Sequence, residues 1–316
     1  MQLTEDVSRP SLPIIWLRLM KLRVIILLQI TAICAILVHD ILNRKGMIDG
    51  EVRTWLDTLQ TSLLVLIGGT LSAGGSNAIN MWYDADIDKG MQRTSSRPVP
   101  QEWISPKHAL VFGSVIAVIG TALLWSIHWK AGFWSAFSVL FYVLIYTIWL
   151  KRRTPQNIVI GGAAGATPPL IGWAAAAADT LSGINPLDLG NPIPWMLFLL
   201  IFLWTPPHFW ALAIFKSGEY EKVGVPMLPD VKGVDRTIIE SKVYAALLIC
   251  LAFIPIIWPG YGIEWHYSVI VVILGVWYLM TIVRINPSEG LDEKGRLPSA
   301  FASFMASLRY LALMFI

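Results

Sequence analysis

Three aspartates stand close together in a chain that carries little charge elsewhere. Asp84, Asp86 and Asp88 lie in NAINMWYDADIDKGMQRTSSRPVP, residues 77–100, although only 14% of the 316 residues are charged. Asn80, Asp84 and Asp88 are spaced four apart, so their side chains share one face if the preceding helix continues through them. Carboxylates at this spacing repel one another and oppose the helix dipole unless a cation lies among them. Oxygen ligands of this kind suit Mg²⁺, so Asn80, Asp84 and Asp88 are predicted metal ligands.

Two arginines follow the aspartates on the same polar segment. Arg93 and Arg97 carry guanidinium groups, whose planar fork of N–H donors can hold a phosphate through two parallel hydrogen bonds. Magnesium ligands beside arginines predict a diphosphate site, because Mg²⁺ completes its shell with substrate phosphate oxygens. The competing interpretation is a solvated loop in which these acids and bases only pair with one another.

A second acidic segment, FKSGEYEKVGVPMLPD, spans residues 215–230. Glu219 is its best candidate metal ligand, with Glu221 and Asp230 behind it, and Lys216 is available to hold phosphate. If the two acidic loops face one another, two Mg²⁺ ions would bracket one diphosphate. An ordinary charged loop also mixes Lys and Glu in this way, so that alternative stays open.

The composition places the chain in a membrane. It is 55% hydrophobic with a mean hydropathy of +0.61 and 15 Trp, which is too apolar for a soluble domain. Strand-like alternation is absent, which favours a helical bundle over a barrel. We therefore predict an all-α integral membrane protein with nine transmembrane helices. They lie near residues 22–38, 58–81, 108–128, 131–150, 156–178, 193–215, 241–258, 265–283 and 298–316.

The basic residues predict the orientation of this bundle. Most of the 24 Lys and Arg residues fall in the loops on one side, so we expect a cytoplasmic N-terminus in a cytoplasmic (inner) membrane. The net charge of +3 is then explained by the orientation of the protein in the bilayer, and no nucleic-acid partner is expected. We predict one domain over 1–316, with a cytoplasmic N-terminal segment at 1–20 and cytoplasmic active-site loops at 82–106 and 216–240.

These motifs resemble a known family. The stretch at 77–100 is similar to the first aspartate-rich motif, NxxxDxxxD, of UbiA-type intramembrane prenyltransferases, which fold as nine-helix bundles. Two more stretches resemble the haem farnesyltransferase branch of that family: LKRRTPQNIVIGGAAGATPPLIGW at 150–173 and WTPPHFWALAIFKSGEYEKVGVPMLP at 204–229. The resemblance implies Mg²⁺-dependent transfer of a farnesyl group from farnesyl diphosphate to a vinyl group of haem b, with release of diphosphate.

The resemblance also implies roles for further residues and partners. Tyr146 and Lys151 would approach the diphosphate and its bridging oxygen with Asn157 nearby, Tyr220 would bind substrate in the second motif, and Arg23 would hold a haem propionate. The implied partners are the two substrates, the lipid bilayer, and a downstream haem-modifying enzyme or oxidase assembly factors.

The chain departs from the family pattern in two places. Where this branch usually has two adjacent aspartates, only Glu219 remains between Gly218 and Tyr220. In the first helix, Leu22 separates Lys21 from Arg23 where the family tends to have proline. The single acid of the second motif leaves fewer ligands for a second Mg²⁺ ion. The missing proline affects how the first helix starts more than the chemistry.

The stretch LWTPPHFWALAIF supplies aromatic rings and one notable histidine. Ionising an allylic diphosphate leaves a cation that needs a dry, aromatic-lined pocket, and Trp204, Phe209 and Trp210 are candidates to line it. A lipid-facing aromatic belt is the alternative. Pro206 and Pro207 interrupt the helical hydrogen bonds just before His208.

Three interpretations of His208 remain open. It is a ligand or orienting contact for haem iron, a base or water-positioning group in a final hydration, or a histidine bonded to a neighbouring carbonyl.

Two other functions fit parts of the sequence. The same chemistry could act on an aromatic or quinone-precursor acceptor. A non-catalytic transporter would account for helices interrupted at TPP, residues 167–169 and 205–207, because discontinuous helices often mark binding sites in the membrane. A transporter does not explain why acids and arginines gather at one end.

Overall fold

The computed structural model describes residues 9–92, 94–216, 218–251, 253–254, 265–293 and 296–315. Within those ranges every regular element is helical, as the all-α prediction required. In chain order the helices are α1 Leu12–Met20, α2 Leu22–Arg44, α3 Trp55–Tyr83, α4 Ala85–Asp88, α5 Pro106–Ile127, α6 Trp129–Leu140 followed by a π-helix at Phe141–Leu150, α7 Asn157–Ala166, α8 Pro168–Ala176, α9 Ile193–Phe215, α10 Leu228–Lys232, α11 Val234–Leu251, α12 Trp265–Val283 and α13 Pro298–Met314.

Seven helices in the described part of the chain are long and apolar enough to cross a membrane. They are Leu22–Arg44, Trp55–Tyr83, Pro106–Ile127, Trp129–Leu150, Asn157–Ala176, Ile193–Phe215 and His266–Val283. The seventh and ninth predicted segments are also helical, as α11 and α13, but they are not among these seven. The number of helices that cross the membrane therefore stays a prediction.

The chain breaks sharply between α1 and α2. Lys21 adopts the left-handed conformation with φ of 56°, which is uncommon for any residue except glycine. Asn77 of α3 donates its side-chain N–H to the carbonyl of Met20 at 2.9 Å and so satisfies the exposed end of α1. The predicted N-terminal segment at 1–20 thus contains a helix that packs on α3, where Met20 contacts Gly74. The break turns the Lys21 side chain into the protein.

The two proline-rich interruptions behave differently. At the first, α7 ends at Ala166 and α8 begins at Pro168, as predicted. At the second the prediction of a break was wrong, because α9 runs without interruption through Pro206 and Pro207. Each proline removes the N–H that would bond the carbonyl four residues earlier, which for Pro206 and Pro207 are those of Phe202 and Leu203. Membrane helices tolerate proline through local adjustments, and the neighbouring Thr205 hydroxyl bonds the Ile201 carbonyl at 2.7 Å.

Small residues let neighbouring helices approach closely. Gly75 of α3 lies against Gly113 and Ala117 of α5, and Gly120 of α5 lies against Ser72 and Gly68 of α3. In lipid the hydrophobic effect does not drive helices together, so their association depends on close van der Waals packing of this kind. The packed N-terminal helices hold the end of α3, and therefore the acidic residues that follow it, in a fixed position.

Gly172 provides a test of this packing. A methyl group there would collide with the backbone carbonyl of Ala32, where α8 packs on α2. We expect Gly172→Ala to lower the free energy of unfolding in detergent by roughly 1–3 kcal/mol, because the backbones must separate. Gly165→Ala is the matched control, since no atom lies within 4 Å of its added methyl group. Equal melting temperatures for the two variants would contradict this account.

Candidate functional site

Asn80, Asp84 and Asp88, here called the acidic column, keep their helical spacing beyond the end of α3. The Asp84 N–H bonds the Asn80 carbonyl at 2.9 Å, and the Asp88 N–H bonds the Asp84 carbonyl at 2.9 Å. Asp84 and Asp88 are buried, with exposed fractions of 0% and 1%. Buried carboxylates of this kind require a cation or several hydrogen bonds.

Cationic side chains from three separate segments meet the column. Lys21 donates to Asn80 Oδ1 at 2.7 Å, and Lys151 pairs with Asp84 Oδ2. Arg97 binds both oxygens of Asp88, at 2.9 and 2.7 Å. Arg93 lies outside the described residues, so its predicted phosphate contact has no structural counterpart here. Each carboxylate in the column therefore has a positive partner.

Asp86 and Arg152 form the outer layer of this site. Arg152 binds both oxygens of Asp86 at 2.7 Å and also approaches Asp84 Oδ1 at 3.8 Å. Hydrogen bonds from the Arg152 guanidinium hold the pKa of Asp86 below its ordinary value, although the Asp86 side chain is 62% exposed. The carboxylates of this site are Asp84, Asp86 and Asp88. With Lys21 counted as protonated, they face four cationic side chains, which are Lys21, Arg97, Lys151 and Arg152. The excess of positive charge suits a polyanionic ligand such as a diphosphate.

Lys21 reaches the acidic column from the start of α2, and the contact of the neighbouring Arg23 with a haem propionate stays a prediction. Arg23 is exposed in the first turn of α2 and makes no ion pair or side-chain hydrogen bond within the described residues. Burial, and then the charges of Arg97 and Lys151, lower the pKa of Lys21 well below its ordinary value. In the sequence, Lys21 is one of the basic residues that predict orientation in the membrane, and no motif marks it as a site residue. The absence of proline before Arg23 was the one signal of an unusual helix start.

The π-helix places the next group of polar residues. Its Lys151 N–H bonds the Tyr146 carbonyl at 2.9 Å, a spacing of five residues. Thr147 is fully buried and accepts a hydrogen bond from Asn80 Nδ2 at 3.1 Å, while Asn80 Nδ2 also lies 2.8 Å from Asp84 Oδ2. Thr147 was missed in the sequence because a threonine in an apolar helix gives no distinctive pattern. Tyr146 packs over Gly161 of α7, which leaves no room for a side chain there.

The second acidic loop packs directly on the first. Tyr220, Val225 and Met227 are buried in one apolar cluster with Ile87 and Met91. A methyl group on Gly90 would lie 2.8 Å from Val223 Cγ1. The loop is shorter than the predicted 216–240, because α11 begins at Val234.

The predicted polar residues of this loop are engaged with their neighbours. Lys216 pairs with Glu219 at 3.2 Å, and Asn157 Nδ2 donates to the Pro226 carbonyl at 3.1 Å. These contacts fix the loop beside α7.

Three buried oxygens around this end of the bundle lack a hydrogen-bond donor in the described part of the chain. They are Asp84 Oδ1, Asn157 Oδ1 and Glu219 Oε2. Unpaired acceptor oxygens are the atoms that a hard cation binds, so Asp84 fits Mg²⁺. Asp88 fits it only when Arg97 releases an oxygen. Within the described residues, no three acidic, histidine or cysteine side chains gather closely enough to hold a metal ion.

The aromatic residues of α9 divide into two groups. Trp204 stacks on His208 with ring centroids 4.2 Å apart, and Phe209 meets the same imidazole edge-on at 5.1 Å. Trp210 is fully buried and packs edge-on against Tyr244 of α11 at 5.6 Å. Tyr244 covers one side of Trp210, and the place of Trp210 in the aromatic lining stays a prediction. Ring orientation depends on which helix packs behind α9, and the sequence does not reveal that.

The fold and motifs agree with the comparisons to known proteins. A model of the UbiA prenyltransferase family matches residues 51–308. The chain belongs to this family. Its sequence is 40% identical over 301 residues to that of the protoheme IX farnesyltransferase of Bartonella tribocorum. The aligned region covers 95% of this chain and 88% of that protein.

Solved structures share the fold. A UbiA homologue from Aeropyrum pernix has a TM-score of 0.67 at 18% identity, over 90% of this chain and 96% of that one. A UbiA homologue from Archaeoglobus fulgidus bound to DMAPP and Mg²⁺ has a TM-score of 0.61 at 17% identity, over 95% and 97% of the two chains.

We expect Asp84→Asn and Asp88→Asn each to lower turnover of a prenyl diphosphate by about 10² to 10³, because one charge that balances the cations is lost. Diphosphate release from purified protein measures this, and a thermal melt checks folding. Asp86→Asn is the matched control and should leave turnover nearly unchanged, because Asp86 is exposed and pairs with Arg152 at the outer edge of the site. Full activity in either column variant would remove that residue from the metal assignment.

Lys21→Met should raise the KM for a prenyl diphosphate about 10- to 100-fold, because a charged hydrogen bond contributes roughly 1.5–3 kcal/mol. Lys45→Met changes an exposed lysine at the other end of α2 and should leave KM unchanged. If both variants bound substrate like the unmodified protein, Lys21 would have only a structural role.

Proposed function

We propose that this prenyltransferase transfers a farnesyl group from farnesyl diphosphate to a vinyl group of haem b, giving haem O and diphosphate. The observation that supports donor chemistry most directly is the buried acidic column matched by Lys21, Arg97 and Lys151. The acceptor is supported by the identity of about two residues in five to protoheme IX farnesyltransferases over most of the chain.

The first step of the proposed reaction is departure of the diphosphate. The C–O bond of the allylic diphosphate breaks, and the electron pair stays on the leaving oxygen. Lys21, Arg97 and Lys151 would lie around the diphosphate, where their positive charges would stabilise the negative charge that develops on it. Mg²⁺, held by Asp84 and by an Asp88 released from Arg97, would supply further charge stabilisation when bound.

The second step joins the two substrates. The vinyl π electrons of haem form a new C–C bond to the farnesyl cation, and the resulting carbocation next to the porphyrin takes up water and loses a proton. Water must be excluded until the C–C bond has formed. We propose that Trp204 and Phe209, whose rings surround His208, belong to the apolar wall that delays it. Trp210, which faces α11, supports this wall from behind.

We further propose the remaining roles for residues around the column. Lys216 and Tyr220 would contact the diphosphate from the second loop, with Tyr146 and Asn157 beside it and Glu219 as a weaker ligand for a second ion. Arg93 would act with Arg97 on the same phosphate groups. Arg23, exposed at the start of α2, is a better candidate for an outer contact to a haem propionate than for the reaction centre.

The orientation of the protein is part of the proposal. The seven candidate spans support a multi-pass membrane protein, and we propose that it lies in the cytoplasmic membrane. We propose nine spans in one domain, with the N-terminus and the acidic loops facing the cytoplasm, because the positive charges of the loops concentrate on that side. The product would pass to a downstream haem-modifying enzyme or to oxidase assembly factors.

An assay with purified protein in detergent tests this function. Farnesyl diphosphate, Mg²⁺ and haem b should yield a prenylated haem detectable by mass spectrometry, and EDTA should stop the reaction until Mg²⁺ is returned. Prenylation of an aromatic acid or quinone precursor in place of haem would point to a different acceptor. Binding of haem without any prenylated product, under conditions where the protein is folded, would favour a transporter.

A further inference from the structure

A contact between α9 and α13 fixes the chemical state of one histidine. His208 Nδ1 lies 2.6 Å from the Ser307 hydroxyl, and the same hydroxyl lies 2.6 Å from the Phe304 carbonyl. A carbonyl can only accept, so the single hydroxyl proton of Ser307 points to Phe304. The hydroxyl oxygen then accepts from His208, which places the imidazole proton on Nδ1. If the proton were on Nε2, Ser307 would have to donate to both partners at once.

Two stacked rings hold the imidazole ring in place. Trp204 stacks on one side with centroids 4.2 Å apart, and Phe304 stacks at 4.8 Å. Trp204 is itself held by its indole N–H, which donates to the Ser307 carbonyl at 2.8 Å. Ser307 therefore orients both Trp204 and His208, one through its backbone and the other through its hydroxyl.

The other ring nitrogen, Nε2, is left with a free lone pair. Within the described residues the hydrogen bond of the His208 ring runs through Nδ1 to Ser307, and the side chain retains an exposed fraction of 7%, so Nε2 is not fully enclosed. A neutral imidazole whose Nδ1–H is fixed by a neighbouring oxygen is the arrangement that metal-binding histidines use. His208 lies eight residues before Lys216, which corresponds to about 12 Å along α9 from the loop that faces the acidic column.

We propose that His208 binds the iron of the haem acceptor through Nε2, and that Ser307 is a positioning residue that fixes the required tautomer. This inference rests on the proposed function, because that function supplies a haem in the site. Haem iron commonly takes one axial imidazole ligand. An iron bond at this point would hold the porphyrin by its centre, so that the vinyl group, and not the metal, faces the farnesyl cation.

Spectra of the haem complex test the ligand without requiring turnover. Ferric haem b bound to the unmodified protein should show the absorbance and electron paramagnetic resonance of an imidazole-ligated iron. His208→Ala should lose that signature, and added imidazole should restore it. Iron-free protoporphyrin IX should bind the unmodified protein and the variant equally, which shows that the variant is folded. An unchanged haem spectrum in His208→Ala would overturn the proposal.

The part assigned to Ser307 has its own control on the same helix. Ser307→Ala should weaken haem b binding about 10- to 100-fold, as loss of an outer hydrogen bond to a metal-binding histidine typically does, while leaving protoporphyrin IX binding unchanged. Ser307→Thr keeps the hydroxyl and should restore most of the affinity. Ser303→Ala removes an equally buried serine one turn away that contacts Thr281 and not His208. Equal effects of the two alanine variants would overturn the positioning role.

These outcomes separate the inference from the function on which it rests. If haem b is prenylated but the spectra do not depend on His208, only the iron contact fails. If no prenylated haem forms under any condition, the proposed function fails, whatever the spectra show.

Discussion

Charge balance at one buried end of the helical bundle is the constraint on which the rest of the site depends. Asp84 and Asp88 are almost fully buried, and a buried carboxylate is stable only with compensating charge and hydrogen bonds. The protein supplies that charge from segments that are far apart in sequence: Lys21 before the second helix, Arg97 in the following loop, and Lys151 after the π-helix. In the proposed reaction these cations would meet the diphosphate, and the carboxylates would become available to a metal ion as the cations change partners.

The less regular features of the backbone can be understood from this constraint. The left-handed Lys21 turns a lysine inward between two helices, and the π-helix brings Thr147 and Lys151 to the same column. Left-handed residues and π-helices are both unfavourable or rare, and both are frequent at functional sites. Glycines elsewhere in the bundle allow the close helix contacts that hold these segments together.

The sequence predicted what depends on local spacing and failed where side-chain direction depends on distant packing. Four-residue spacing correctly placed Asp84 and Asp88 on one side of a helical path, and composition correctly predicted a helical membrane protein. It did not predict that Lys21 reaches the acidic column, because the direction of that side chain is set by the chain break between α1 and α2. For a similar reason it did not reveal that Tyr244 of α11 packs against Trp210.

In the proposed reaction the two substrates would meet where the helices that precede α8 contact α9. The acidic column and its cations come from residues before α8, whereas His208, Trp204 and Ser307 belong to α9 and α13. Helix α9 joins these parts: it packs on α7, where Gly162 admits Thr205, and its C-terminal loop lies on the loop that follows α4. Small displacements of α9 would therefore change the distance between an ionising diphosphate and a haem held by His208. A rigid contact between α9 and α7 would keep the two substrates aligned. The farnesyl cation would then react with the vinyl group before water reaches it.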